Sequence, residues 1–232
     1  MKTAALLKIF IAVGLLYLAL LLLGNEDTAW FMKPILLPSL LAAVAASEKF
    51  KTKNLLISAL LFSWFGDIVL MFAYKGELYF ICGLVLFLIA HVLYIFLFRK
   101  QHKSHITNKA WLSIGLIGVI GYLFAMLLVL YPTLGDLKIP VTVYAAVIST
   151  MLFLTIKGLM SWKSPASYYI FAGAICFVIS DSLLAFDKFY SPIPMPSFNI
   201  MSTYLAAQFL IAFGILVLNK KQHAVLTDNA AI

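Results

Sequence analysis

Eight apolar runs divide this chain, each near the roughly 20 residues that carry a helix across a bilayer. They cover residues 4–23, 30–46, 54–72, 78–98, 111–131, 139–160, 167–186 and 199–218. Lipid offers no partners to backbone amides, so such runs must satisfy their own hydrogen bonds as helices. Composition agrees: 64% of the 232 residues are hydrophobic and 11% are charged, against roughly 45–50% and 25% in soluble domains. A soluble core of this size cannot hide that excess. The expected fold is an all-α membrane protein with eight transmembrane helices in one bundle, a single polytopic domain over residues 1–232 with no soluble module. The second run is the weakest, being short and holding Pro34 and Pro38. Neighbouring helices must then satisfy the carbonyls that those prolines free.

The net charge of +8 would suit nucleic acid, but the basic residues lie in short loops between apolar runs, where they set orientation instead. No nucleic-acid partner is expected. With the N-terminus in the cytoplasm, Lys2, Lys8, Lys49, Lys51, Lys53, Arg99, Lys100, Lys103, Lys109, Lys157, Lys163, Lys220 and Lys221 fall at or near the inner face. Lys33, Lys75, Lys138 and Lys188 fall outside. One missed helix would scramble this split, so it supports the count of eight. Both termini are expected in the cytoplasm, and the location is expected to be a bacterial inner membrane. Lys2 and Lys8 ahead of an apolar run mimic a signal peptide, but Gly24-Asn25-Glu26-Asp27 follow without a small-x-small cleavage pattern. An uncleaved first helix is expected. Cys82 and Cys176 both sit inside apolar runs and imply no disulfide framework.

Two of the runs carry a buried acid. Residues 61–72 read LFSWFGDIVLMF, with Asp67 as the one carboxylate. The pattern returns at residues 176–186, CFVISDSLLAF, around Asp181. Aligned on the acids, Gly66, Asp67, Leu70 and Phe72 match Ser180, Asp181, Leu184 and Phe186. Holding an acid in lipid costs about 2.5–3.5 kcal/mol on insertion scales, so such a residue is a functional candidate by default. The acids stand on the third and seventh runs, and Lys33-Pro34 is echoed by Lys138-Ile139-Pro140. These matches suggest a parallel 4+4 internal repeat about an axis along the membrane normal.

A rise of ~1.5 Å per residue puts both acids about 20 Å from the cytoplasmic starts of their helices, at one level in the outer half. Lys33 lies near that level, and His91, arriving from the other direction, should lie roughly 10 Å deeper. If the acids meet across a cavity, burial and mutual repulsion leave one protonated and one ionised. That split supplies an acid and a base in one site.

In the fourth run Phe80, Gly83, Phe87, His91 and Tyr94 form one helical stripe. Aromatics and a glycine alone would mark a packing seam. His91 is the one histidine inside a run, since His102, His105 and His223 are in a loop or the tail. It reads either as a satisfied structural residue or as an acid/base, proton relay or substrate donor. Lys33 either snorkels or binds a ligand. Ser63 and Ser180 can back-bond to their own helices. Tyr144 and Tyr204 read as interior aromatics with satisfied hydroxyls. Gln208, an amide in lipid, needs a partner. Asp187 and Lys188 abut the surface and are expected to be solvated.

These residues leave three classes open: an intramembrane lipid hydrolase, a proton-coupled transporter using the same acids, and a structural protein whose polar groups bind helices together. No Gly-x-Ser-x-Gly elbow supports serine chemistry. Neither HExxH nor a Cys/His cluster is present, and Asp67, His91 and Asp181 make too few ligands for a metal site to be favoured.

In series, these residues resemble the YhhN family of membrane proteins, which includes the lysoplasmalogenases. The resemblance is carried by Lys33-Pro34, Gly66-Asp67-x-x-Leu70, and Phe80-x-x-Gly83-x-x-x-Phe87-x-x-x-His91-x-x-Tyr94. It continues through Tyr144, Met151, Gly173-Ala174-x-x-Phe177-x-x-Ser180-Asp181 and Tyr204-x-x-Ala207-Gln208. No single piece is specific; the ordered series on eight runs is. The first and fifth runs contribute nothing recognisable. The resemblance implies hydrolysis of the vinyl ether bond of lysoplasmalogens to a fatty aldehyde and glycerophosphocholine or glycerophosphoethanolamine, without an organic cofactor. The expected partners are this lysophospholipid and membrane lipid. The residues suit acid catalysis by Asp67 and Asp181 with His91 as relay. Lys33 is expected at the phosphate, with Tyr94, Tyr144, Ser180, Tyr204 and Gln208 completing the substrate site.

Overall fold

The computed structural model describes residues 2–101 and 109–229. His102, Lys103 and His105, and the side chains of Lys221 and His223, lie outside the described residues. Among the described residues eight helices are long and apolar enough to cross a membrane, and there is no strand. They are α1 (Lys2–Leu22), α2 (Glu26–Ala45), α3 (Lys53–Leu70), α4 (Glu77–Arg99), α5 (Lys109–Leu130), α6 (Lys138–Ser161), α7 (Ala166–Phe189) and α8 (Pro196–Asn229). Short 3₁₀ turns at Ala73–Lys75, Tyr131–Thr133 and Gly135–Leu137 link α3 to α4 and α5 to α6.

The order of contact is a ring. Helix α1 packs on α2, α2 on α3, α3 on α4, α4 on α6, α6 on α7, α7 on α8, and α8 returns to α1. Helix α5 stands outside this ring against α6 and α7, with Val119 and Leu130 as its buried residues. The tightest hairpins are α3–α4 and α7–α8, so each acid stands on the first helix of a close pair. In the second pair the backbones nearly touch. A Cβ on Gly173 would meet the Ile211 nitrogen at 2.9 Å, and one on Gly214 would meet the Ile170 nitrogen at 3.0 Å. Small residues at such a seam let dispersion and polar contacts act at short range where lipid removes the hydrophobic drive.

The proline-bearing helix α2 is continuous. Pro38 has no N–H, so the carbonyl of Pro34, four residues earlier, loses its helical partner. The Trp64 indole Nε1 donates to that oxygen at 2.8 Å from α3. At the end of α2, Lys53 Nζ donates to the Ala45 and Ser47 carbonyls at 2.8 and 2.6 Å. A cation there satisfies orphan acceptors and complements the helix dipole. At the same end of the bundle, Gln101 Nε2 donates to Thr52 Oγ1 at 3.0 Å and Gln101 Oε1 accepts from Asn219 at 3.3 Å. That polar clasp ties α3, α4 and α8 together and leaves the other end to hold the site.

Candidate active site

The opposite end of the ring encloses a cavity of about 440 Å³ lined from α1, α2, α3, α4, α7 and α8. Asp67 and Asp181 both line it, with Lys33, Phe87, Ser180 and Tyr204. Each acid is held by a tyrosine from a helix across the ring or beside it. Tyr204 of α8 donates to Asp67 Oδ2 at 2.7 Å. Tyr144 of α6 donates to Asp181 Oδ2 at 2.5 Å. Both tyrosine hydroxyls are thereby satisfied, and what they satisfy is the two carboxyl groups. Hydrogen bonds of this charge-assisted kind fix a carboxylate's position as well as its charge.

His91 is fully buried and meets Asp181 directly, Nε2 to Oδ2 at 3.6 Å. Its expected place well below the acids is corrected by side-chain direction. Cα–Cβ bonds tilt towards a helix's N-terminus. Helices α4 and α7 run in opposite directions, so His91 leans towards the cavity mouth and Asp181 away from it. The other ring nitrogen, Nδ1, lies 2.7 Å from the Phe87 carbonyl. A carbonyl can only accept, so Nδ1 carries a proton. In the neutral ring Nε2 is then a bare acceptor, and no hydrogen bond to the protein satisfies it. Phe177 and Tyr144 hold the ring edge-on, with centroids 4.6 and 5.4 Å away.

Lys33 lies within electrostatic reach of Asp67 on the same cavity wall. Asp67 therefore faces a cation and a tyrosine donor, whereas Asp181 faces a tyrosine and an imidazole acceptor. The two acids repeat one sequence pattern in different electrostatic company.

The other expected residues fall around this core. Ser180 lines the cavity and donates to the Ile200 carbonyl of α8 at 3.0 Å, so it bonds between helices rather than back to its own. Ser63 is buried and its hydroxyl meets no acceptor in the protein. Tyr94 and Gln208 lie beneath the cavity, both fully buried, and pair at 2.6 Å through the Tyr94 hydroxyl and Gln208 Oε1. The Gln208 amide nitrogen makes no hydrogen bond to the protein. The α4 stripe is both seam and site: a Cβ on Gly66 would strike the Phe87 ring at 2.7 Å, while Phe80 and Phe87 line the cavity. Among the described residues no three His, Cys, Asp or Glu side chains converge as metal ligands do.

Helix α7 continues to Phe189, so Asp187 and Lys188, expected at the surface, line the cavity mouth, where Lys188 is exposed. Asp187 Oδ1 accepts from the Ile193 amide at 3.0 Å, and Lys188 lies over the Phe80 ring at 5.0 Å. The first run also contributes, since Tyr17 lines the cavity from α1. Its signal was available: Tyr17 is the one hydroxyl-bearing residue inside residues 4–23.

The fold and site define a polytopic helical membrane protein with two tyrosine-held carboxyl groups on one cavity. The model of the YhhN family matches residues 28–215, and the chain belongs to that family. It is 36% identical over 164 residues to lysoplasmalogenase TMEM86A of Bos taurus, covering 67% of this chain and 62% of that protein. It is 32% identical over 163 residues to lysoplasmalogenase TMEM86B of Homo sapiens, covering 70% and 64%. It is 28% identical over 178 residues to a lysoplasmalogenase of Mycobacterium bovis, covering 75% and 66%. The chain thus spans less than two thirds of the length of the two mammalian relatives. No solved structure matches it.

Proposed function

We propose that the protein is an intramembrane hydrolase that cleaves the vinyl ether bond of lysoplasmalogens, releasing a fatty aldehyde and a glycerophospho-alcohol. The observation that carries this reading is the pair of carboxyl groups, Asp67 and Asp181, on one cavity with unlike neighbours. The names of the mammalian and mycobacterial relatives point to the same substrate. The distribution of Lys and Arg over the loops supports termini in the cytoplasm and a cavity that opens towards the outer leaflet.

A vinyl ether reacts by protonation on carbon, which creates an oxocarbenium ion. Asp181 is assigned as the protonated acid, because the group it faces, the bare Nε2 of a neutral His91, is an acceptor and favours a carboxyl group that keeps its proton. Asp67, beside Lys33 and under the Tyr204 hydroxyl, is assigned as the carboxylate. Asp181 gives its proton to the vinyl carbon distal to oxygen, and the charge of Asp67 stabilises the cation. Asp67 then takes a proton from the attacking water, leaving a neutral hemiacetal. On collapse, the leaving glycerol oxygen takes that proton and the hemiacetal hydroxyl returns its own to Asp181. The sum adds one water and restores both acids. The logic is that of two-carboxylate glycosidases, in which environment assigns the roles. Lys33 contributes charge for the lipid phosphate at the mouth.

Mass spectrometry of purified protein with lysoplasmalogen, and separately with an ester lysophospholipid, tests the reading. Aldehyde release from the vinyl ether alone, lost in Asp67→Asn and Asp181→Asn, is expected. Full turnover by both variants, or no aldehyde from the unaltered protein, overturns it. Proton-coupled uptake into vesicles with the lipid unchanged would point to the transporter instead.

A further inference from the structure

A second cavity borders the site. Asp181 and Tyr144 also line a cleft of about 60 Å³ on the flank of the bundle, between α5, α6 and α7. Its remaining walls are mainly apolar, including Leu127, Val141, Ile148 and Val178. The polar atoms beside it are turned to one another, since the Tyr122 hydroxyl bonds Ser182 Oγ. Asp181 is therefore shared by two cavities of opposite character. One carries Lys33, Glu26, Asp187 and Lys188; the other is a slot facing the side of the bundle where lipid lies. Helix α5 approaches α6 closely where a Cβ on Gly115 would meet the Ile156 side chain at 2.7 Å, while Gly118 and Gly121 face open space.

We infer that the cleft between α5, α6 and α7 receives the first carbons of the substrate's alkenyl chain. This rests on the hydrolase reading. A lysolipid has one phosphate end and one hydrocarbon end, with the reacting bond between them. Two cavities that meet at one carboxyl group match that order. The phosphate lies in the charged cavity, the vinyl ether beside Asp181, and the tail passes through the slot. The rest of the chain lies in lipid along the exposed faces of α5 and α6. Burial of apolar chain in this slot makes the tail a determinant of which lipid reacts.

A 1-O-alkyl lysophospholipid with a diazirine on its third or fourth tail carbon tests this without turnover, because its ether bond is saturated. Irradiation with the full-length protein in lipid nanodiscs, followed by peptide mass spectrometry, is expected to label residues such as Leu127, Ile148 and Val178. Labelling should be competed by unlabelled lysolipid. Labels confined to α1, α2 or α8, or labels that do not compete and so report bulk lipid, overturn the inference. The cleft-filling variant Ala145→Phe gives a second reading. It should lower turnover on long-chain vinyl ethers, relative to an ethenyl ether whose chain ends before the cleft, by about tenfold, the effect of excluding roughly two methylenes. An unchanged ratio overturns the inference. Aldehyde release by the unaltered protein is measured in parallel. If it is absent while the cleft is labelled, the hydrolase reading alone fails; if it is present while labels lie elsewhere, the cleft alone fails.

Discussion

The Tyr144 hydroxyl stands 2.5 Å from Asp181, the relation that Tyr204 bears to Asp67 at 2.7 Å. Each acid thus receives one phenolic donor from a helix other than its own. Removing either donor leaves a buried carboxyl group less well held and less well solvated. Tyr144→Phe and Tyr204→Phe should each lower kcat by roughly 10- to 100-fold, the equivalent of about 1.5–3 kcal/mol for a hydrogen bond to a charged group. The fold should persist, because both rings remain packed. Steady-state aldehyde release with circular dichroism as a control checks this, and unaltered kcat in both variants would remove the tyrosines from the mechanism.

In the proposed mechanism Lys33 serves two anions, the Asp67 carboxylate on the same cavity and the lipid phosphate. Lys33→Met should therefore lower kcat/KM on a lysoplasmalogen by tenfold or more, on the order of 1.4 kcal/mol. On a 1-alkenylglycerol, which lacks phosphate, the loss should be smaller, reporting the Asp67 share alone. Equal losses on the two substrates would assign Lys33 wholly to Asp67.

Much of this site was legible in the sequence because lipid makes polar residues conspicuous. An acid, an amide or a histidine inside an apolar run has few innocent explanations, so Asp67, Asp181, His91 and Gln208 stood out individually. The eight helices were legible for the same reason, since each run had to satisfy its own backbone. What one-dimensional spacing could not give is which helices adjoin. Tyr204 is 137 residues from the acid it holds, and nothing in the spacing paired them. As points on helix axes His91 and Asp181 differ in depth, but their side chains lean towards each other and meet. Tyr17 was hidden because one tyrosine in an apolar run is ordinarily packing. Helix α7 runs three residues beyond its apolar run, to Phe189, and this extra length carries Asp187 and Lys188 along the cavity mouth.

The indole of Trp64 carries a structural role that the apolar character of its helix conceals. It supplies the donor that Pro38 denies to the Pro34 carbonyl. Trp64→Phe keeps an aromatic ring but leaves that oxygen without its partner, which costs about 1–3 kcal/mol for a buried polar group. The melting temperature in detergent should fall by several degrees. In the double variant Trp64→Phe with Pro38→Ala the helix regains its own N–H, and most of the lost stability should return. No recovery in the double variant would mean that packing, not the hydrogen bond, accounts for the loss.

Gly173 and Gly118 should answer the same substitution in opposite ways. A Cβ on Gly173 would meet the Ile211 nitrogen at 2.9 Å and the Ala207 carbonyl oxygen at 3.0 Å, and backbone cannot rotate aside. Gly173→Ala must push α7 away from α8, at a cost of about 1–3 kcal/mol for overpacking. That shift also moves Asp181, eight residues along the same helix, relative to Tyr144 and His91. Activity should therefore fall together with thermal stability. On α5 a Cβ at Gly118 meets open space, and alanine there gains helix propensity of roughly 0.5–1 kcal/mol. Gly118→Ala should leave the melting temperature unchanged or raise it slightly. Similar melting temperatures for the two variants would show that the α7–α8 seam is not as close as the backbone positions place it.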